Sequence, residues 1–199
     1  MLALGSDMLR PWMLVESVDR TSLELLSTTD DPRTPSDTTL EALLDGVQMG
    51  GDGRAYAHAS DGAVYRIHEG ATLELIARQV GSRYAVGSDT TLWYVRAGKL
   101  YYLTEDSRLK TWPLDARAEP PVRYVAAAAD GAIWFSTDTK LCSIRTGAQT
   151  CFTIDPNIWL GPIFPQDDGS VWFAAGPDLL GRFSPVSSDF HPQPGSNCW

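Results

Sequence analysis

The sequence predicts an all-β protein, a β-propeller of five blades with four antiparallel strands in each blade. Three observations predict this fold class. A motif in which an aspartate is followed four positions later by an aromatic residue recurs along the chain. Segments with the composition of short strands surround each recurrence, and 17 Gly and 13 Pro residues supply turns between them. Four short strands repeated about every 40 residues are typical of propeller blades, whereas a β-sandwich, the main alternative, requires no such repeat.

The repeat divides the 199 residues into five units. Its first residue is an aspartate at Asp52, Asp89, Asp130 and Asp168. The aromatic residue four positions later is Tyr56, Trp93, Trp134 and Trp172. A weaker copy begins at Asp7. We therefore interpret the chain as a single propeller domain, 1–199, whose units are 1–46, 47–83, 84–124, 125–162 and 163–199.

Each unit contains four strand-like segments in the same order. The segment before the aspartate is expected to form the innermost strand, and the aromatic residue lies in the second strand. The third strand is apolar at its first and fourth positions, as in Leu141–Ile144. These positions point to opposite faces of a strand, so both faces of a blade must be covered, as they are when blades pack face to face.

The recurring side chains have structural interpretations. A carboxylate at a turn accepts hydrogen bonds from nearby backbone N–H groups, so the aspartates are interpreted as turn residues, with calcium binding as the alternative. The recurrent Trp and Tyr side chains are interpreted as packing between blades rather than as platforms for sugars.

Two of the three cysteines, Cys142 and Cys151, flank a predicted hairpin. A two-residue turn at Thr146 and Gly147 pairs these cysteines by counting outward along the strands. The pair falls at a non-hydrogen-bonded position, where Cα atoms approach to about 4.5 Å, a separation that a disulfide can bridge. The pattern predicts either a cross-strand disulfide in an extracellular or periplasmic protein, or two buried thiols on adjacent strands of a cytoplasmic one. Cys198 has no evident partner in the sequence.

The fifth unit resembles a known repeat. Its segment DGSVWFAAGPDLLGRFSP, residues 168–185, is similar to the repeat of virginiamycin B lyase (streptogramin lyase) and of related two-component-regulator propellers, in which DG-x-[IV]-W-F is followed by [IL]-G-R-[IF]-x-P. The fourth unit keeps the first half of this pattern in DGAIWFSTDTKLCSI. The resemblance implies a propeller, and for the lyases it implies seven blades with a catalytic histidine and a Mg²⁺ site. No segment of this chain reproduces that catalytic surround, so no catalytic residue is assigned.

Composition argues against two classes of partner. Sixteen basic and 25 acidic residues leave a formal net charge of −9, which disfavours attraction to the phosphate backbone of nucleic acids. No apolar run in the sequence is long enough to span a membrane, and the first residues develop no secretory apolar stretch before Asp7. We therefore expect neither a nucleic-acid partner nor membrane insertion.

The predicted innermost strands argue against chemistry at the propeller axis. Residues five, four and two positions before each repeat aspartate include no carboxylate and no imidazole. A metal ion or a pair of catalytic carboxylates would need such ligands converging at the axis. We expect no metal, no cofactor and no catalytic residue, with a lyase- or lactonase-like enzyme as the alternative function.

The remaining candidates lie on one face of the predicted propeller. The turns between second and third strands are expected to share this face with the links between blades. The candidate binding residues there are His58, Arg83, Arg96, Lys99, Asp138 and Trp159. Local spacing places no second His or Cys beside His58, so a partly exposed histidine at a strand end is the simpler interpretation than a general base.

These observations predict a non-catalytic binding or scaffold module that recognises a protein, or less readily a glycan, through this face. Besides the enzyme, a second alternative is a partial propeller whose ring is completed by another chain, and homo-oligomerisation is left open. The sequence names neither the ligand nor the cellular compartment.

Overall fold

The computed structural model describes strands and connections over most of the chain. The described residues are 3–7, 10–16, 23–27, 44–68, 73–104, 108–114, 121–155, 157–158, 160–176, 179–185 and 189–194, with side chains described between residues 46 and 185. The chain forms two compact units, Met1–Ser82 and Arg83–Trp199. Every secondary-structure element of the described residues is a β-strand, so the all-β prediction is confirmed. Within the same residues, no helix has the length and apolar character needed to cross a membrane.

The first unit contains two antiparallel sheets. The three-stranded sheet is formed by β1 (Ala3–Asp7), β2 (Arg10–Glu16) and β3 (Leu23–Ser27). The four-stranded sheet is formed by β4 (Leu44–Met49), β5 (Ala55–Ala59), β6 (Val64–Ile67) and β7 (Leu73–Ala77). The sequence places the boundary between the first and second repeat units between residues 46 and 47, but strand β4 crosses it. A bulge between Leu44 and Gly46 lets β4 pair with β5 from residue 44 onward.

The second unit contains three four-stranded sheets, which we name the third, fourth and fifth blades after their sequence repeats. The third blade consists of β8 (Tyr84–Val86), β9 (Leu92–Arg96), β10 (Lys99–Leu103) and β11 (Leu109–Thr111). The fourth consists of β12 (Tyr124–Ala127), β13 (Ile133–Ser136), β14 (Lys140–Arg145) and β15 (Ala148–Thr153). The fifth consists of β16 (Ile163–Pro165), β17 (Val171–Ala174), β18 (Leu179–Ser184) and β19 (Asp189–Pro194). Strand β12 lies beside β8 and β16, so the strand before each repeat aspartate is innermost in this unit, as predicted.

The fold is a β-propeller in which the described residues form four complete four-stranded blades. The predicted count of five complete blades is therefore not confirmed. The first sequence unit contributes the three strands β1–β3, and most of the segment predicted to be its fourth strand, residues 39–44, lies outside the described residues. Its repeat is also the weakest, because Trp12 follows Asp7 by five positions instead of four.

The hydrophobic core of the second unit lies between successive blades. Trp93 of the third blade packs in one buried cluster with Phe135 of the fourth. Trp134 of the fourth blade packs in a second cluster with Phe173 and Phe183 of the fifth, and its ring meets the Phe183 ring edge-on at 6.4 Å between centroids. Burial of these large rings is the main stabilising contribution at both junctions. The tryptophans of the third and fourth blades therefore pack between blades, as predicted.

The repeat aspartates form the turns between first and second strands. In each turn Oδ1 accepts a hydrogen bond from the backbone N–H two residues later, at 3.1, 3.0, 3.0 and 2.9 Å for Asp52, Asp89, Asp130 and Asp168. The second oxygen is held within the same blade by Tyr56, Thr91, Arg145 and Arg182, respectively. These carboxylates act as turn residues, which confirms the prediction.

The hairpin of the fourth blade has the predicted register. Cys142 pairs with Cys151, and a disulfide joins them at a Cα–Cα distance of 4.1 Å. Thr146 and Gly147 form the turn with φ values of 48° and 79°. Two positive φ values give a turn whose twist matches that of antiparallel strands. The predicted disulfide is thus present, and it is compatible with an oxidising compartment.

Replacing Thr146 by asparagine is expected to stabilise this hairpin. Thr146 is β-branched and adopts a left-handed backbone, which is strained, whereas asparagine enters that region readily. We expect Thr146→Asn to raise the free energy of unfolding by about 1 kcal/mol, as measured by urea denaturation. The control is Thr150→Asn, the same change at an exposed position within β15, which should not stabilise the protein. Equal stabilisation by both variants would contradict this account.

Candidate functional site

The predicted face of turns and links exists in the second unit. The link before β12 meets the turn between β9 and β10, because the Val122 N–H donates to the Gly98 carbonyl at 2.9 Å. The link after β15 meets the turn between β13 and β14, because the Ile154 N–H donates to the Thr139 carbonyl at 2.9 Å. We call this end of the third and fourth blades the turn face. These backbone hydrogen bonds fix the turns relative to the links.

Arg96 and Lys99 lie directly opposite each other where β9 and β10 meet the turn. Both side chains are exposed. Ala97 and Gly98 form the turn with φ values of 49° and 73°. A Cβ atom at Gly98 would lie 2.6 Å from the Pro121 Cβ, so the link packs closely over the turn only because this residue is glycine. Arg96 and Lys99 therefore lie on the turn face, on either side of this turn.

Arg83 lies beside this pair. Its carbonyl accepts a hydrogen bond from the Val95 N–H at 3.0 Å, which places Arg83 next to the end of β9. Its guanidinium carbon lies 4.9 Å from the ring centroid of Tyr124, in a cation–π contact that spans from the third blade to the fourth. We call Arg83, Arg96 and Lys99 the cationic cluster.

The cationic cluster lacks carboxylate partners in the part of the chain that the structure describes. None of its three members forms an ion pair there. Other arginines of the described residues do have a carboxylate partner: Arg66, Arg123, Arg145 and Arg182. In a chain with a net charge of −9, these three exposed cations, which have no ion-pair partner among the described residues, concentrate positive charge at one end of the third blade.

Asp138, also predicted as a binding residue, lies on the turn face but is engaged. Arg123 donates to its two carboxylate oxygens at 2.7 and 3.2 Å. This hydrogen bonding to Asp138 raises the pKa of the Arg123 guanidinium above its usual value. Because Asp138 binds Arg123, its charge is already balanced by a residue outside the cationic cluster.

The remaining predicted residues lie elsewhere. His58 belongs to the first unit, on β5, where it is half-buried. A Cβ atom at Gly46, its partner on β4, would lie 2.9 Å from the imidazole Cε1, so the ring packs against bare backbone. Trp159 lies outside the described residues. The structure therefore brings together Arg83, Arg96, Lys99 and Asp138, and the binding role of each predicted residue stays a prediction.

Sequence reasoning did not single out Arg123 and Tyr124, which organise the turn face from the fourth blade. A usable signal was present, because the dipeptide Arg-Tyr recurs at the start of two innermost strands, at Arg83-Tyr84 and at Arg123-Tyr124, with the arginine as the last residue of the link. Its recurrence indicates a repeat position on the links between blades. The contact of Arg83 with Tyr124 depends on blade packing and is not encoded by local spacing.

The opposite end of the second unit has a different electrostatic character. It carries the repeat aspartates Asp89, Asp130 and Asp168. The Ser170 hydroxyl and backbone N–H donate to Asp168 at 2.6 and 2.9 Å, and these hydrogen bonds, with Arg182 nearby, hold the pKa of Asp168 below its usual value. The repeat aspartates thus lie in the turns at one end, while the cationic cluster, which has no ion-pair partner among the described residues, lies at the other.

Comparisons with known proteins support the architecture. A streptogramin B lyase structure matches with 18% identity and a TM-score of 0.64, covering 98% of this chain and 68% of that one. A catalytically inactive virginiamycin B lyase from Staphylococcus aureus with quinupristin matches with 19% identity and a TM-score of 0.65, covering 97% of this chain and 69% of that one. The structure of YCF48 bound to D1 peptide matches with 13% identity and a TM-score of 0.63, covering 96% of this chain and 65% of that one. These similarities show a β-propeller fold.

Sequence comparison adds no family assignment. No protein-family model matches the chain, and no curated protein matches it. At the identities found, the solved structures establish the fold and leave the chemistry to be argued from the residues. Within the described residues of this propeller, no group of three or more His, Cys, Asp or Glu side chains is arranged to hold a metal ion.

Proposed function

We propose that this chain is a non-catalytic binding module that recognises a protein partner through the turn face of its third and fourth blades. The observation that carries the proposal is the cationic cluster, Arg83, Arg96 and Lys99, which is exposed and without ion-pair partners among the described residues. The partner we propose is an acidic polypeptide segment, because carboxylates supply the charge that the cluster lacks.

Preorganisation of the cluster favours such recognition. A two-residue turn fixes the backbones of Arg96 and Lys99, and Tyr124 holds the guanidinium of Arg83. Binding therefore costs less side-chain entropy at Arg83 than it would for a mobile arginine, and the turn sets the separation of Arg96 and Lys99 in advance. Guanidinium groups also bind carboxylates through paired hydrogen bonds, so the two arginines contribute geometry as well as charge.

Relatives with the same fold are compatible with several functions. YCF48 was solved with a bound peptide, which supports peptide recognition by a propeller, and a virginiamycin B lyase was solved with quinupristin. A neutral glycan would leave the cationic cluster without a counter-charge, so we rank a protein partner above a glycan. A lyase- or lactonase-like activity is the alternative, and turnover of a streptogramin or a lactone by the unmodified chain would favour it.

The proposal extends to the architecture and the compartment. We propose that β1–β3 belong to a first blade of the same repeat type, which brings the number of blades to five, since these strands carry the weaker copy of the motif. The disulfide favours a location outside the reducing cytoplasm. The sequence-based expectation that neither nucleic acid nor a membrane is a partner forms part of the same proposal.

The proposed function predicts that reversal of charge in the cationic cluster abolishes binding. Fluorescence anisotropy would follow a labelled oligoglutamate peptide, with neutral Gly-Ser and oligolysine peptides for comparison. We expect the oligoglutamate alone to bind, with an affinity that falls as salt rises. The double variant Arg96→Glu/Lys99→Glu should weaken this binding by about tenfold or more, because it removes two contacts and adds repulsion.

A matched control separates the site from overall charge. Arg108→Glu/Lys110→Glu makes the same change in net charge at two exposed positions of the third blade, just before β11 and within it, away from the turn between β9 and β10, and it should retain binding. Circular dichroism would verify that both double variants keep the fold. Equal weakening in both would show that net charge alone governs binding, and failure of oligoglutamate to bind would overturn the proposed partner chemistry.

A further inference from the structure

The blades of the second unit follow a packing rule. In each blade one face carries the repeat tryptophan, and in two of the three blades this face packs on the next blade in sequence. The Trp93 face of the third blade contacts Ile133 and Phe135 of the fourth. The Trp134 face of the fourth blade contacts Phe173 of the fifth in the same way. The corresponding face of the fifth blade is the Trp172 face, and the register places Phe164 and Arg182 beside the tryptophan.

The exposure of side chains shows that the Trp face of the fifth blade is not covered as it is in the third and fourth blades. In the repeat, a leucine opens the four-residue motif of the third strand, and it is 0% exposed at Leu100 and 0% exposed at Leu141. The equivalent residue of the fifth blade, Leu180, is 46% exposed. On the innermost strand, Ala85 is buried, whereas Phe164 at the same repeat position is 53% exposed. The Trp172 face is thus an interblade packing surface that the described residues leave open.

Charge at the Trp172 face is self-complementary. The guanidinium of Arg182 lies 5.9 Å from the Trp172 ring centroid and pairs with Asp168 at 2.6 Å on the rim of the face. A two-fold axis through such a face would bring Arg182 of one copy toward Asp168 of the second copy. Apolar side chains at the centre with both charges at the rim are what an isologous interface requires.

We propose that the Trp172 face is a homodimer surface, occupied in solution by the same face of a second copy of this chain. The inference is independent of the proposed binding function, because it uses a different blade and a different kind of contact. The two interblade junctions show that this repeat face packs on an apolar β-sheet, which there presents its opposite face, and a second copy offers an apolar β-sheet surface of the same size. Burial of Phe164 and Leu180 supplies the driving force.

Sedimentation velocity over a concentration series tests the proposal. The background is Cys198→Ser, so that an intermolecular disulfide cannot produce a dimer. We expect a monomer–dimer equilibrium in the full chain, and a monomer at every concentration for Phe164→Glu/Leu180→Glu. The control is Leu109→Glu, a charge placed on an exposed leucine of β11 outside the Trp172 face, which should dimerise as the parent does.

Hydrogen exchange distinguishes the other occupants of the face. We expect protection of β16–β18 to increase with protein concentration. A parent chain that is monomeric throughout overturns the proposal, and strong protection of these strands in that monomer would assign the face to another segment of the same chain. A dimer that survives Phe164→Glu/Leu180→Glu, or one that is lost equally in Leu109→Glu, also overturns it. Because Phe164, Leu180 and Leu109 are exposed, circular dichroism should show an unchanged fold in the variants at these positions.

Discussion

Replacement of Trp134 by alanine is expected to lower the free energy of unfolding by about 3–5 kcal/mol. The indole is fully buried between the fourth and fifth blades and meets the ring of Phe183. Its removal leaves a cavity that the flanking strands cannot fill, because their positions are set by pairing with neighbouring strands. Urea denaturation followed by far-ultraviolet circular dichroism measures the loss.

The matched control for Trp134→Ala is Trp172→Ala. Both residues occupy the same repeat position, but Trp172 is only partly buried because no described blade covers its face. At low protein concentration, where the proposed dimer is dissociated, we expect Trp172→Ala to cost less than about 2 kcal/mol. Equal losses in the two variants would mean that the Trp172 face is packed within the monomer.

Removal of the disulfide is the second change with a large expected effect. The double variant Cys142→Ala/Cys151→Ala should lower the free energy of unfolding by about 2–3 kcal/mol, since the bond constrains the unfolded chain around a short loop. The bond also lies in the cluster between the third and fourth blades. The Trp112 indole N–H, from the link before the fourth blade, donates to Gln149 at 2.8 Å. The Gln149 amide in turn donates to the Cys151 sulfur at 3.2 Å, so a residue outside the fourth blade is connected to the disulfide by hydrogen bonds.

Reduction provides an independent check on the disulfide. Dithiothreitol should lower the denaturation midpoint of the unmodified chain to that of the double variant, and mass spectrometry should record the gain of two hydrogens. Cys198→Ser serves as the control and should leave the midpoint unchanged. A midpoint that does not move when the mass shows full reduction would argue against a stabilising role for this bond.

Much of the fold could be predicted because its determinants are local. The spacing from each aspartate to its aromatic residue identified the blades, and the aspartate bonds to the backbone of its own turn. The pairing of Cys142 with Cys151 followed from the turn at Thr146 and Gly147, because turn geometry sets the register of a hairpin. Where the motif weakens, at Asp7, the prediction of a complete blade was not confirmed.

The features that escaped prediction depend on contacts between distant residues. Arg83 meets Tyr124 only after two blades have packed, so the cationic cluster was predicted as separate residues without its support. Leu180 and Leu141 look equivalent in sequence, yet one is exposed and the other buried, because the difference lies in whether a following blade is present. Asp138 could not be distinguished from an available acid until Arg123 was found bound to it.

The turn at each repeat aspartate has a consequence for the order of folding. Its hydrogen bond joins residues only two positions apart, so it can form before any blade docks on another. Each blade of the second unit then nucleates as its own hairpin, with little loop-closure entropy to overcome. The slow events are expected to be the docking steps that bury Trp93 and Trp134, and a chain emerging from the ribosome would acquire its blades one after another, from the N-terminus onward.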